Sequence, residues 1–173
     1  MNLAEKIRSI PDFPKKGIVF RDITTLLGDG HALREAVEKM YDQFRDVKIV
    51  KLVGIESRGF IFAALLAYKF GIGMVPARKP GKLPYQTISE DYELEYGVAS
   101  LQMHIDAIQK GEKVLIVDDL LATGGTVGAA ARLVERLGGQ VVGFCFLIEL
   151  DFLGARNRLR NYRIESLIHY ESE

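Results

Sequence analysis

The sequence has a single cysteine, no net charge and no long apolar run. Its one thiol, Cys145, cannot close an internal disulfide. It lies in an apolar, strand-like segment, so a buried, inert thiol is expected, in keeping with a reducing cytoplasm. Lys and Arg together number 23, and so do Asp and Glu. That balance speaks against a nucleic-acid or membrane-surface protein, while leaving room for a local basic patch. No apolar stretch is long enough to span a bilayer, and no signal-peptide pattern is present. Repeats and low-complexity segments are also lacking. With 173 residues, 48% of them hydrophobic and 27% charged, the chain has the profile of one globular domain with its own core.

What is there is organised around VLIVDDLLATGGT, Val114 to Thr126. Val114–Val117 is a short apolar run rich in β-branched residues, as expected of a strand covered on both faces. Asp118 and Asp119 follow where that strand is expected to end. Ala122–Thr126 then turns the chain into a helix spanning 127–137. In open α/β sheets, ligands bind at the carboxyl ends of strands, beside helix N-termini. Gly124 and Gly125 let the backbone approach a ligand closely. Their N–H groups, with a helix dipole behind them, suit a phosphate. Thr123 and Thr126 add hydroxyl donors. Ionised Asp118 and Asp119 are acceptors only, so they suit ribose hydroxyls or a Mg²⁺ ion beside them. An anion cradle next to a polyol clamp describes a phosphorylated sugar.

Two familiar phosphate motifs do not fit. A P-loop needs a Lys before its Ser/Thr, and a dinucleotide fingerprint needs spaced glycines, whereas here they are adjacent and preceded by acids. The plain alternative is an ordinary strand–helix connection with Thr123 or Thr126 as the N-cap. The stretch resembles the phosphoribosyl pyrophosphate (PRPP) motif of type I phosphoribosyltransferases, and DDLLATGGT is close to the form seen in adenine phosphoribosyltransferases. The resemblance implies that Asp118 and Asp119 meet the ribose hydroxyls. It also implies that the loop of Leu120, Ala122, Thr123, Gly124, Gly125 and Thr126 holds the 5′-phosphate.

Taken in order, residues 3–10 suggest a short helix stopped by Pro11. The segment FPKKGIVFRDIT reads alone as a surface connection. It is similar to the base-binding hood of adenine phosphoribosyltransferases, which implies that the backbone of Val19 and Arg21 reads the purine edge while Phe20 stacks on its face. Residues 30–46 carry a helical stripe of Leu33, Ala36, Val37, Met40, Tyr41 and Phe44. A strand over 49–55 leads into Glu56, Ser57, Arg58 and Gly59, and a helix apolar nearly all round, expected to be well buried, spans 59–70. ESRG resembles the pyrophosphate loop of the same family, in which the Arg and nearby amides hold the leaving group. A cis peptide is expected at Glu56–Ser57.

After a third strand over 72–77, residues 78–97 run long with many charges. A connection of that length is a functional lid or a disordered segment. Arg78, Lys79 and Lys82 are a solvated charge run on composition alone; the resemblance places them at the pyrophosphate, under a closing lid with Tyr96. Residues 92–96 and 98–103 are expected to pair at its base. The resemblance makes Glu95 the general acid/base at the purine, with Arg58 as its catalytic companion. A strand over 140–150, a charged edge helix over 151–161 with a solvated face, and a strand over 165–170 complete the chain. His31, His104 and His169 show no metal-ligand spacing, and no protein metal site is expected.

The expected fold is therefore α/β: a type I phosphoribosyltransferase fold in a single domain, 1–173, with a mostly parallel central sheet flanked by helices. It includes an N-terminal arm and hood (1–29) and a lid loop (78–97). The resemblance implies purine salvage, adenine plus PRPP giving AMP and pyrophosphate, through an oxocarbenium-like displacement at ribose C1. It implies Mg²⁺ carried mainly by PRPP and pyrophosphate, a homodimer, and neither nucleic-acid nor membrane partners. A 6-oxopurine transferase and a non-catalytic PRPP sensor remain as rival readings.

Overall fold

The computed structural model describes residues 1–94 and 96–173. A 3-10 turn at Leu3–Lys6 opens the chain, followed by β1 (Arg8–Ile10). This strand, where a helix is expected from the sequence, pairs antiparallel with β2 (Phe20–Asp22). Pro11 and the turn that follows fold the two strands together, so the pairing overrides a weak helical pattern. Asp22 fixes the arm. It accepts from Arg8 Nε at 2.9 Å and Nη2 at 2.7 Å, and from Thr24 N at 2.9 Å and Oγ1 at 2.7 Å.

Those bonds, from Thr24 first and then Arg8, hold the Asp22 carboxyl at about 2, below its ordinary 3.8. A depressed carboxyl stabilises the fold above its unfolded pKa and loses that contribution as pH falls through the folded value. The window is therefore roughly pH 4 down to 2. The difference in melting temperature between the parent and Asp22→Asn should shrink as pH falls through this window. A difference that stays constant from pH 5 to 2 would mean that the charge on Asp22 does not hold the arm.

Next come α1 (Thr24–Leu27) and α2 (Gly30–Phe44), the latter capped by Asp29, which accepts from the N–H groups of His31 and Ala32. β3 (Lys51–Ile55), α3 (Gly59–Phe70) and β4 (Gly73–Ala77) form a parallel crossover unit. α3 ends at Gly71, whose φ of 68° is the left-handed stop expected of glycine. Its burial is narrower than the apolar sequence suggests. Phe62, Ala63, Leu66 and Ala67 face the core, but Ile61 and Leu65 are exposed and Tyr68 is 89% exposed. Composition cannot tell a buried face from one left open.

β5 (Thr87–Leu94) and β6 (Gly97–His104) pair antiparallel along their whole length, Thr87 opposite His104 through Leu94 opposite Gly97. Much of the long charged connection is thus a hairpin, longer than the short pairing expected at its base. β7 (Lys113–Leu121), α4 (Gly125–Arg136), β8 (Gln140–Leu150), α5 (Ala155–Arg158) and β9 (Ile164–Tyr170) complete the chain. The expected edge helix is broken: a 3-10 turn at Asp151–Leu153 and Gly154, at φ 67°, precede a helix of four residues. Its charges are not all solvated either. Arg156 makes a two-pronged ion pair with buried Glu149, at 2.7 and 2.8 Å.

The central sheet is parallel, in the order β4-β3-β7-β8-β9. β7 lies at its centre, and its apolar run divides by alternation. Val114 and Ile116 join the core beneath α4 and the hairpin, while Leu115 and Val117 join the core beneath α2 and α3. Cys145 is fully buried in β8, and burial raises its thiol pKa well above the ordinary value.

Candidate active site

β7 does not stop at the two acids. It continues through Asp118 and Asp119, pairing Asp118 with Phe146 and Leu121 with Glu149 on β8. The strand therefore fixes both carboxyl-bearing residues before the loop begins. Gly124 then adopts φ 89° and caps α4 with no side-chain hydrogen bond. Neither Thr123 nor Thr126 serves as the cap, so the first N–H groups of α4 are left for a ligand. Asp118, Leu120, Leu121 and the residues from Ala122 to Val127 enclose a small cup of about 70 Å³ there, on the scale of a single phosphate group.

The loop after β3 meets this cup from the neighbouring strand. Its Glu56–Ser57 peptide is cis, as expected. α3 begins at Gly59, close enough to β7 that an added Cβ would lie 2.7 Å from Asp118 Oδ1 and 3.1 Å from both Asp118 Cα and Val117 O. Arg58 Nε donates to Asp119 Oδ2 at 2.5 Å, and the guanidinium lies 5.5 Å from the Phe20 ring centroid. Asp119 is buried, its side chain 7% exposed. Asp118 keeps some solvent access as a residue, yet its carboxyl group is packed against Gly59 and accepts from Asp119 N at 2.8 Å. Burial first, then the neighbouring Asp119 charge, raises its pKa well above the ordinary value, with Arg58 pulling the other way. Asp118 thus holds its proton more tightly than a free carboxyl does.

Glu56 organises the cations at the end of β4. Its carboxylate accepts from Lys79 N at 2.5 Å, Lys82 Nζ at 2.9 Å and Arg78 Nη2 at 3.4 Å. Burial pushes the Glu56 pKa up, but the bonds from Lys82 and Lys79 and the charges of Lys82 and Arg78 outweigh it and leave it below the ordinary value. Glu56 was expected among the substrate ligands; its carboxylate is turned instead to the cations. Arg78 is further fixed by backbone bonds in both directions with Gln102 on β6. Among the described residues Arg78 Nε is buried without a hydrogen-bond partner, a donor free for an anion.

The hairpin lies over this cup. A Cβ at Gly125 would lie 3.5 Å from Glu93 O and from the Tyr92 ring. Tyr92, Glu93 and Leu94 share a cleft of about 570 Å³ with Thr123, Gly125, Thr126 and Arg158. Tyr96 reaches the hood, where Lys15 Nζ lies 5.2 Å from its ring centroid. Glu95, the expected acid/base, lies outside the described residues. In the hood, Phe20 packs edge-on against Phe13 at 5.2 Å, and Arg21 is held by Ser9 Oγ at 2.6 Å.

Two arginines that the sequence does not single out tie the hairpin to α4. Arg136 donates to Ser89 O at 2.6 Å and Glu90 Oε1 at 3.1 Å, and Arg132 donates to Glu90 Oε2 at 3.0 Å and Asp91 O at 3.1 Å. Their four-residue spacing on a helix was the available signal. Arg158 lines the cleft although the charges of its segment read in sequence as a solvated face. The three histidines lie apart from the cup. His169 does approach Asp151 and Glu149, but Glu149 is already held by Arg156 and Ser166.

Two loops from adjacent central strands, one enclosing a phosphate-sized cup and the other tied to it through an arginine, form the frame of a phosphoribosyltransferase. Residues 24–165 match the phosphoribosyl transferase domain, and the chain belongs to that family. Within the family, its similarity is to adenine phosphoribosyltransferases. The one from Alkaliphilus metalliredigens is 59% identical over 98% of this chain and 100% of that protein. The crystal structure of adenine phosphoribosyltransferase from Thermoanaerobacter pseudethanolicus superposes with a TM-score of 0.95 at 52% identity, covering 97% of this chain and 98% of that one. The Saccharomyces cerevisiae adenine phosphoribosyltransferase, complexed with an imino-altritol bisphosphate and adenine, gives a TM-score of 0.89 at 38% identity, covering 95% of each chain.

Proposed function

We propose that this chain transfers the 5-phosphoribosyl group of PRPP to adenine, giving AMP and pyrophosphate. The observation that carries the proposal is the junction of the β3 and β7 loops, where Gly59 abuts Asp118 and Arg58 grips Asp119. That junction sets a phosphate cradle, a hydroxyl clamp and a cationic patch side by side, matching the three polar parts of PRPP. The similar yeast enzyme, which holds adenine, supports the choice of base.

In the reaction the C1–O bond to diphosphate breaks, its electron pair leaving with the diphosphate, while the N9 lone pair of adenine, in its N7–H tautomer, bonds to C1 and the N7 proton passes to Glu95. The 5′-phosphate rests on the Thr123–Thr126 loop, and Asp118 and Asp119 orient the ribose hydroxyls. Arg58, Arg78, Lys79 and Lys82 face the charge that develops on the leaving group. Phe20 supports the base, the backbone of Val19 and Arg21 reads its edge, and Glu95 manages its proton at N7. Closure of the 78–97 lid, with Tyr96, excludes water.

The donor set suits Mg²⁺ brought by the substrate. Asp119 is engaged by Arg58 and Asp118 by a backbone N–H, too few free oxygens for an all-protein cage. Asp118 could add one ligand to those of diphosphate and ribose, and the ion when bound neutralises diphosphate charge. The exposed side chains of Leu65 and Tyr68 on α3 border a groove shared with Leu33 and Val37 of α2, in keeping with a homodimer. Among the described residues no helix is long and apolar enough to cross a membrane, and we place the protein in the cytoplasm. The single domain comprises the 1–29 arm and hood, the lid, and the sheet.

Pyrophosphate release with Mg²⁺, PRPP and one base at a time tests this reading. Turnover with adenine, and none with hypoxanthine, guanine, xanthine or uracil, is the expected result. Turnover with a 6-oxopurine instead would overturn the base assignment. PRPP binding without turnover on any base would make the protein a sensor.

A further inference from the structure

The hood is not empty. Val19 N, the N–H of a residue whose backbone the proposed function gives to the base, donates to Glu173 Oε2 at 3.1 Å, across 154 residues of sequence. The residues just before Glu173 are fastened to the same hood. The Arg21 guanidinium lies 3.8 Å from the Tyr170 ring centroid, and its Nη2 donates to Ser172 O at 3.4 Å. Arg21 thus delivers the end of this segment to the edge formed by β2 and the residue before it.

One N–H lies near one acceptor at a time in a good hydrogen bond. A carboxylate oxygen and a ring nitrogen of a purine are both acceptors, and each can satisfy Val19 N–H. We propose that Glu173 is a stand-in for the base: it occupies the base-reading N–H of the free enzyme and is displaced when adenine enters, so that it sets the affinity for adenine. The inference rests on the proposed reading of the hood. Val19 is only half-buried, so in the free enzyme the carboxylate competes with water for this N–H until a base arrives. Glu173 is exposed, so solvent can receive the displaced carboxylate at little cost. Apparent affinity falls by the fraction of molecules in which the site is taken.

The test combines kinetics with the ¹⁵N–¹H signal of the Val19 amide, in the full chain. Glu173→Ala should lower KM for adenine roughly three- to fivefold, with kcat at saturating adenine unchanged. Glu173→Gln, whose amide oxygen still accepts, should fall between that variant and the parent. Without base, the Val19 signal should move on Glu173→Ala; with adenine bound, the signals of the two proteins should converge. An unchanged or raised KM, or a Val19 signal blind to Glu173→Ala while still moved by adenine, overturns the stand-in and leaves the hood reading intact. A Val19 signal unmoved by adenine in both proteins overturns the hood reading itself.

Discussion

Replacing Gly59 with alanine is expected to cut turnover at least a hundredfold. The new methyl would sit 2.7 Å from Asp118 Oδ1 and 3.1 Å from Asp118 Cα and Val117 O. Two of those atoms are backbone in the central strand of the sheet and have nowhere to go. Either α3 lifts away from β7, carrying Arg58 with it, or the Asp118 carboxyl swings out of the place where the proposed function sets the ribose. Overpacking of this kind costs about 1–3 kcal/mol of stability, whereas a displacement near 1 Å in a reacting site costs about 10²-fold in rate. Activity should therefore fall far more than melting temperature. Gly30→Ala makes a suitable control, since a Cβ there meets nothing within 4 Å. A Gly59→Ala enzyme with parental kcat and parental KM for PRPP would mean that this contact does not place Asp118.

The second large effect concerns Arg58. Arg58→Ala removes a cation that the proposed function sets at the leaving group, and it strips buried Asp119 of its partner. Breaking one side of a buried pair costs about 3–5 kcal/mol, reduced here because the Arg58 side chain is 47% exposed. Loss of a positioned donor to a developing anion costs roughly 10²–10³-fold in turnover. Both stability and kcat/KM should drop. Adding Asp119→Asn separates the two: the double variant should recover melting temperature but not activity. Arg58→Lys keeps the charge without the planar fork and should restore stability better than rate. Parental kcat/KM in Arg58→Ala would remove Arg58 from the catalytic role proposed for it.

What the sequence revealed, and what it hid, follows from range and exposure. β7 and its loop were legible because a β-branched run, two acids and adjacent glycines are local signals. The stripe on α2 was legible for the same reason, and Ala36, Val37, Met40 and Phe44 are buried. The full length of β5 was not, since TISEDYEL buries little on either face and so carries no clean alternation. Asp118 and Asp119 looked like the end of a strand because acids are poor strand formers, yet pairing with β8 carries the strand past them. The role of Glu56 depended on three donors 22 to 26 residues away. The contact of Glu173 with Val19 joins opposite ends of the sequence, and nothing local announces it.

The lone cysteine has a use unrelated to the reaction. Cys145 sits inside a sheet flanked on both faces, and its thiol resists ionisation. A thiol reagent can meet it only when β8 is uncovered, so the rate of alkylation becomes a clock for the opening of the sheet. With no second thiol in the chain, that clock has a single hand. Any ligand that binds the closed form alone would slow it by the factor its concentration and affinity dictate.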